Sequence, residues 1–270
     1  MVRRPVWQLP PGVHGGTWDY VNSPQIANDY DQYFRDHPLL QLDVAFLQEH
    51  LPPAGGADPP IIVDLGCGSA RLAAHFVPRG YRFVNVDLST AMLRVATAKL
   101  VDHREEVCSL RANMVQLGCL RADSVDGVAC MFSSLGMIRG RSNRRAVLAH
   151  CRRILRPGCP LIVHVHHLLR DLWEPGGWRR LAGALQERLR GAATEIGDIV
   201  YCYRGIPRMF MHRFLRGELA ADLRVAGFAS AEFFPIDPTA CQVASSRSRW
   251  RCWFAGGFFV VARAPQARLK

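Results

Sequence analysis

Ile61-Ile62-Val63-Asp64-Leu65-Gly66-Cys67-Gly68-Ser69-Ala70-Arg71-Leu72 says more about architecture than any other stretch of the chain. Three β-branched residues lead to an acid and a turn with alternating glycines, and Leu72-Ala73-Ala74 begins a helix-forming run. Such a pattern is a buried strand, a tight loop and a helix start. Open α/β sheets receive adenosine-containing ligands at that junction. Further on, Phe83-Val84-Asn85-Val86-Asp87 reads as a second buried strand ending in an acid, placed to bind both hydroxyls of a ribose.

A nicotinamide dinucleotide is the obvious rival ligand. Its fingerprint requires a third glycine three residues after the second, for close helix–strand packing around a pyrophosphate. That position is Arg71. Asp64, before the first glycine, would repel a pyrophosphate and suits a ligand carrying a cationic amine. Asp64-Leu65-Gly66-Cys67-Gly68 resembles the first motif of class I S-adenosylmethionine (SAM) methyltransferases, and Val86-Asp87-Leu88-Ser89 resembles their second.

The resemblance covers roughly 61–168, with a weaker echo to the end. It implies a Rossmann-like α/β fold: a doubly wound seven-stranded sheet whose last strand is antiparallel. It implies SAM as cofactor, with Asp64, Gly66, Cys67 and Gly68 at the methionine end. Asp87 would hold the ribose, and Leu88 and Met92 would flank the adenine. Asn113 and Met114 stand where the family often has an acid and a hydrophobe near the adenine amine, and Phe132 also falls on the cofactor side. Asn113 departs from the acid, and Ala70 stands where many members have a further glycine. Asp126-Gly127-Val128 and Leu155-Arg156-Pro157-Gly158 resemble the packing motifs around the fourth and fifth strands.

Composition sets the frame. With 270 residues, 49% of them hydrophobic, the chain can bury a full core. No run of eighteen apolar residues suggests a membrane span, and Met1-Val2-Arg3-Arg4-Pro5-Val6-Trp7 lacks the apolar region of a secretory signal. Nine cysteines without C-x-x-C spacing read as small buried hydrophobes in a reducing cytoplasm. The net charge of +11 comes from arginines beyond Arg139 and admits an anionic partner such as tRNA without requiring one.

The breaker Pro52-Pro53-Ala54-Gly55-Gly56-Ala57-Asp58-Pro59-Pro60 divides a helical appendage, 1–60, from a SAM-binding domain, 61–270, with an insertion at about 169–215. In the appendage, 23–33 and 38–51 carry apolar residues at helical intervals. The core then alternates strands (61–65, 82–87, 107–112, 124–132, 161–166) with helices. Helices are expected over 171–190 and 215–226, and final strands over 231–236 and 252–263, with a bulge at Gly256-Gly257.

Methyl transfer is an in-line displacement in which the protein chiefly positions the reactants. Acceptor groups should follow the fourth and fifth strands or come from the appendages. Ser133 follows the fourth strand. His166 and His167 follow the fifth, where either could take a proton from a hydroxyl or amine. Strand alternation puts His164 and His166 on one face and His167 on the other. His164-x-His166 lacks a third ligand for a metal, so none is expected. Tyr30 and Tyr33 could close over the cofactor and acceptor, and Trp178 could wall the acceptor pocket. His212 lies in Met211-His212-Arg213-Phe214-Leu215-Arg216-Gly217-Glu218-Leu219, which with Gly197-Asp198-Ile199-Val200 resembles the tail of wobble-uridine tRNA methyltransferases and equally that of small-molecule ones, and His212 is expected to contact the substrate. Arg247-Ser248-Arg249-Trp250-Arg251 could serve single-stranded nucleic acid or blunt an edge strand.

Three readings follow. The first is a SAM-dependent methyltransferase acting at O or N of a small molecule, the second the same chemistry on tRNA. The third is a SAM-binding partner subunit without turnover.

Overall fold

A computed structural model describes residues 5–173, 176–189, 194–237, 242–244, 253 and 255–266. Three helices come first: α1 (Gly15–Val21), α2 (Pro24–Tyr33) and α3 (Pro38–His50). Ser23 caps α2, its hydroxyl accepting from the Ile26 N–H, and prolines open both α2 and α3 where their missing N–H costs nothing. Helix α1 escapes sequence periodicity because Gly15-Gly16 is a poor helix former.

The alternating core follows: β1 (Ile61–Leu65), α4 (Arg71–Phe76), β2 (Arg82–Asp87), α5 (Thr90–Lys99), β3 (Val107–Arg111), β4 (Gly127–Cys130), α6 (Arg141–Ile154) and β5 (Pro160–His166). Then come α7 (Gly177–Leu189), a hairpin of β6 (Asp198–Tyr203) and β7 (Ile206–His212), α8 (Arg216–Val225), β8 (Ser230–Ile236) and β9 (Gly257–Arg263). Seven strands form one sheet in the order β3-β2-β1-β4-β5-β9-β8, and β9 runs antiparallel to both neighbours. The chain reverses its direction of growth between β1 and β4, which pair directly, so the switch point lies at the tip of β1.

Strand alternation divides the core. Ile62, Phe83, Ala129, Ile162 and Phe259 face α3, α4 and α5, where they meet Phe46, Leu47 and Phe76. Val63, Leu65, Val86, Val128, Val163 and Val260 face α6 and α8, meeting Val147, Leu148, Leu219 and Leu223. Both faces are covered, which is why the strands read as nearly continuous apolar runs.

Three local expectations need correction. The fourth strand is shorter than 124–132: Phe132 (φ 50°) and Ser133 (φ 61°) turn left-handed just beyond it. Gly257 begins β9 in plain register with His166, with no bulge. A Cβ there would lie 2.5 Å from the Val165 carbonyl oxygen, so close backbone approach is the reason for glycine. The segment 198–212, read only as a motif, is a two-stranded hairpin outside the main sheet. The run 247–251 lies outside the described residues. Among the described residues, no helix is long and apolar enough to cross a membrane.

Candidate active site

The loop after β1 is shaped by backbone needs. Gly66 (φ 74°) and Gly68 (φ 55°) are left-handed, and a Cβ on Gly66 would lie 2.7 Å from the Ser134 hydroxyl. Ala70 is also left-handed (φ 58°) as it opens α4, which accounts for the glycine that the related motif often carries here. The Gly66 N–H donates to the Val86 carbonyl at 2.8 Å, tying the loop to the adjacent strand.

Asp87, at the tip of β2, organises the junction. One carboxylate oxygen accepts the Gly68 N–H at 2.9 Å and the other the Ser89 N–H at 2.7 Å. Ser89 caps α5 by accepting the Met92 N–H. Burial raises the Asp87 carboxyl above its ordinary range, and the backbone donors of Ser89, Gly68 and Leu88 oppose that rise.

Around these residues lies a cavity of about 720 Å³ measured out to its mouth, walled by Gly66, Gly68, Asp87, Leu88, Met92, Asn113 and Met114. Val13, Thr17, Tyr20 and Tyr30 of the N-terminal segment close its other side. The Asn113 side chain is committed to the fold: its amide donates to the Pro11 carbonyl at 2.8 Å and its oxygen accepts the Val115 N–H at 3.1 Å. Asp64 is buried beside the loop rather than in the cavity wall. Burial pushes its carboxyl up to about 7; Arg71 pulls it down, and Asp87 and Asp43 push it further up. Cys67 is also behind the wall, its thiol facing the Gly68 carbonyl and raised by burial.

Phe132 lies outside that wall, in an aromatic cluster with Phe34 (5.3 Å between centroids) and His37 (5.4 Å). The Ser133 hydroxyl accepts the His166 N–H at 3.3 Å. His166 is pushed down to about 3 by burial and by His164, Arg213, Arg170 and His37, so it is neutral at physiological pH. His167 points to the opposite sheet face, its ring bonded to the Ala255 carbonyl at 3.2 Å and packed on Phe258. It is pushed down to about 4, chiefly by burial. Tyr33 is 57% exposed, with the Arg204 guanidinium 4.1 Å above its ring, and Trp178 is 61% exposed on α7. Neither meets the cavity. His212 is fully buried away from it, with both ring nitrogens engaged by carboxylates.

Two acids not expected from sequence join the appendage to the loop. Asp43 on α3 bonds Arg71 at 3.0 Å and His164 at 2.7 Å. Asp31 on α2 accepts from the Ser69 hydroxyl at 2.5 Å and pairs with Lys99. Their positions on otherwise amphipathic helices gave no periodic signal. Only Asp43, an acid amid apolar neighbours, departs from a solvated pattern.

The β6–β7 hairpin backs α1. A Cβ on Gly16 would lie 1.7 Å from the Arg208 carbonyl oxygen, so Gly16→Ala must separate α1 from the hairpin. Overpacking of this kind costs about 1–3 kcal/mol. Because Thr17 and Tyr20 of α1 wall the cavity, the variant is expected to bind an adenosine ligand several-fold more weakly, read by calorimetric titration; wild-type affinity would show that the α1 contact does not shape the cavity.

Comparison with known proteins agrees with this geometry. Residues 62–158 match the family model described as a methyltransferase domain. The ubiquinone biosynthesis O-methyltransferase of Hahella chejuensis is 28% identical over 125 residues, 46% of this chain and 49% of that protein. The chain spans about half the length of the curated relatives it matches. A SAM-dependent methyltransferase of Methanosarcina mazei superposes with a TM-score of 0.59 at 16% identity, covering 82% of this chain and 98% of that one. The 1,6-didemethyltoxoflavin-N1-methyltransferase of Burkholderia thailandensis, solved with 1,6-didemethyltoxoflavin and S-adenosylhomocysteine, also gives 0.59, at 18% identity over 92% of this chain and 87% of that one. The segment 62–158 is accordingly a methyltransferase domain, and the chain carries it on the class I SAM-dependent methyltransferase fold.

Proposed function

We propose that the protein is a SAM-dependent methyltransferase whose acceptor is a small molecule methylated at oxygen or nitrogen. The observation that carries this reading is the Asp87 carboxylate, fixed by the Gly68 and Ser89 N–H groups in the wall of the cavity beside the glycine loop. Asp87, with lone pairs left free, would hold the ribose hydroxyls, and the apolar wall of Leu88, Met92 and Met114 would take the adenine. The glycine loop would hold the methionine tail, and Asp64, buried just behind that loop, would supply negative charge toward its ammonium. Such a ligand supplies an electrophilic methyl group, and the chain's task is to aim it and exclude water.

The acceptor approaches from the ends of β4 and β5, past Phe132, Ser133 and His166. His166, being neutral, can accept a hydrogen bond from a hydroxyl or amine, and the aromatic cluster of Phe34, His37 and Phe132 favours a planar acceptor. The O-methyltransferase and N-methyltransferase names among the similar proteins support both acceptor atoms.

The test is incubation of the full chain with methyl-labelled SAM and fractionated small metabolites or bulk RNA from a cell extract. The expected result is label in a small-molecule fraction. Label confined to RNA overturns the small-molecule acceptor, and tight SAM binding with no label in either fraction favours a partner subunit without turnover.

A further inference from the structure

His212 stands at the open end of the β6–β7 hairpin, opposite Asp198 in the strand register. Its Nδ1 lies 2.7 Å from an Asp198 carboxylate oxygen and its Nε2 3.1 Å from a Glu218 carboxylate oxygen. Both partners are carboxylates that, despite burial, their bonds to the ring hold below the usual range, an arrangement that favours hydrogen on both ring nitrogens, the imidazolium form. The surroundings hold the charge in balance. Arg144 of α6 donates to Glu195 at 2.6 Å and to Glu218 at 3.3 Å, the Arg141 N–H donates to Glu195 at 2.6 Å, and the Phe214 ring closes the remaining side. Strand β6 and helix α8 thus meet at one ring, and helix α6 joins them through Glu218 and Glu195.

The far end of the same hairpin packs behind the N-terminal wall of the cavity, its roof. Ile206 packs into the cluster of Ile26, Ala27 and Met92, and Tyr203 stands 6.0 Å from Tyr20. Arg204 pairs with Asp29, and the Arg208 carbonyl abuts Gly16. Tyr20 and Met92 are cavity walls.

We propose that His212 is a positioning residue: as an imidazolium it fastens the hairpin to α8, and the fastened hairpin holds the roof on the adenosine cavity. Its identification of the ligand rests on the methyltransferase reading; the fastening does not. Loss of one proton leaves a ring lone pair facing a carboxylate, which replaces a charge-assisted hydrogen bond by repulsion. Burial works against the charge, but the bonds to Asp198 and Glu218 outweigh it and raise the histidine above its ordinary value. A raised folded value fixes the sign: the fastening is complete below the unfolded value and is lost as pH rises through the folded one.

The test uses two readouts on the full chain from about pH 6 to about pH 9. Hydrogen exchange of amides 198–212 without ligand, corrected for intrinsic rates, should lose about tenfold protection as pH rises. Affinity for methylthioadenosine should fall by a similar factor. That probe has no amino-acid tail, so its own amine does not contribute to the profile, and comparison with His212→Gln separates His212 from Asp64, which titrates near the lower end of the range. His212→Gln should lower both values at low pH and flatten both profiles. Protection that does not vary with pH in the wild type, or that falls equally in His212→Gln, overturns the fastening. Falling protection with unchanged affinity overturns the coupling to the roof. No nucleoside binding at any pH overturns the cofactor assignment and the coupling with it, while the exchange data still judge the hairpin.

Discussion

Asp87→Ala is expected to weaken binding of S-adenosylhomocysteine by about a hundredfold or more, measured by calorimetric titration at neutral pH. Two losses combine. The ribose loses its carboxylate partner, and the Gly68 and Ser89 N–H groups lose the acceptors that set the loop and the start of α5. Asp87→Asn separates the two effects. The amide retains one oxygen for a backbone donor but presents its NH2 to the other, so affinity should fall less than in Asp87→Ala. Wild-type affinity in the alanine variant would overturn the ribose assignment.

The second large effect is electrostatic. Asp64 is buried and pushed up to about 7, whereas the unfolded chain's carboxyl lies near 4. Between these values the folded protein binds a proton that the unfolded chain has released, so stability falls as pH rises through the interval. The loss amounts to about 4 kcal/mol at most and is complete above the folded value. Ligand-free protein should therefore lose melting temperature from about pH 4 to about pH 7 relative to Asp64→Asn. A cationic ammonium at the site offsets the penalty, so SAM should raise the melting temperature more above neutrality than below it. Parallel pH profiles for wild type and Asp64→Asn would sink the assignment of the charge to this residue.

The sheet was legible because its strands are short apolar runs bounded by turn residues, and because its ligand loop needs glycine at two left-handed positions. Gly66, Gly68 and Asp87 stand out in sequence for that reason, whereas Leu88, Met92, Asn113 and Met114 follow only from the resemblance to a known family; all seven line one cavity. Side-chain direction was not legible. Asp64, Cys67 and Phe132 lie in the right segments yet behind or beside the wall, since strand pleat and the left-handed turn at Phe132 rotate them away. The hairpin 198–212 was missed because its half-exposed strands alternate weakly and its purpose is tertiary. His212 was read as a substrate contact because a motif shows that a histidine is needed, not which carboxylates will surround it.

Arg71 first mattered as the residue that rules out a third glycine. In the folded chain its guanidinium reaches back to the Leu40 carbonyl at 2.7 Å and to Asp43. The side chain that forbids one class of nucleotide thus also welds the front segment to the nucleotide loop. A graft that exchanged residues 1–60 for those of a relative, in search of a new acceptor, would leave this arginine and His164 without their shared counter-ion. Acceptor preference and cofactor loop are therefore inherited together, and a swap must carry Asp43 along with the aromatic residues it delivers.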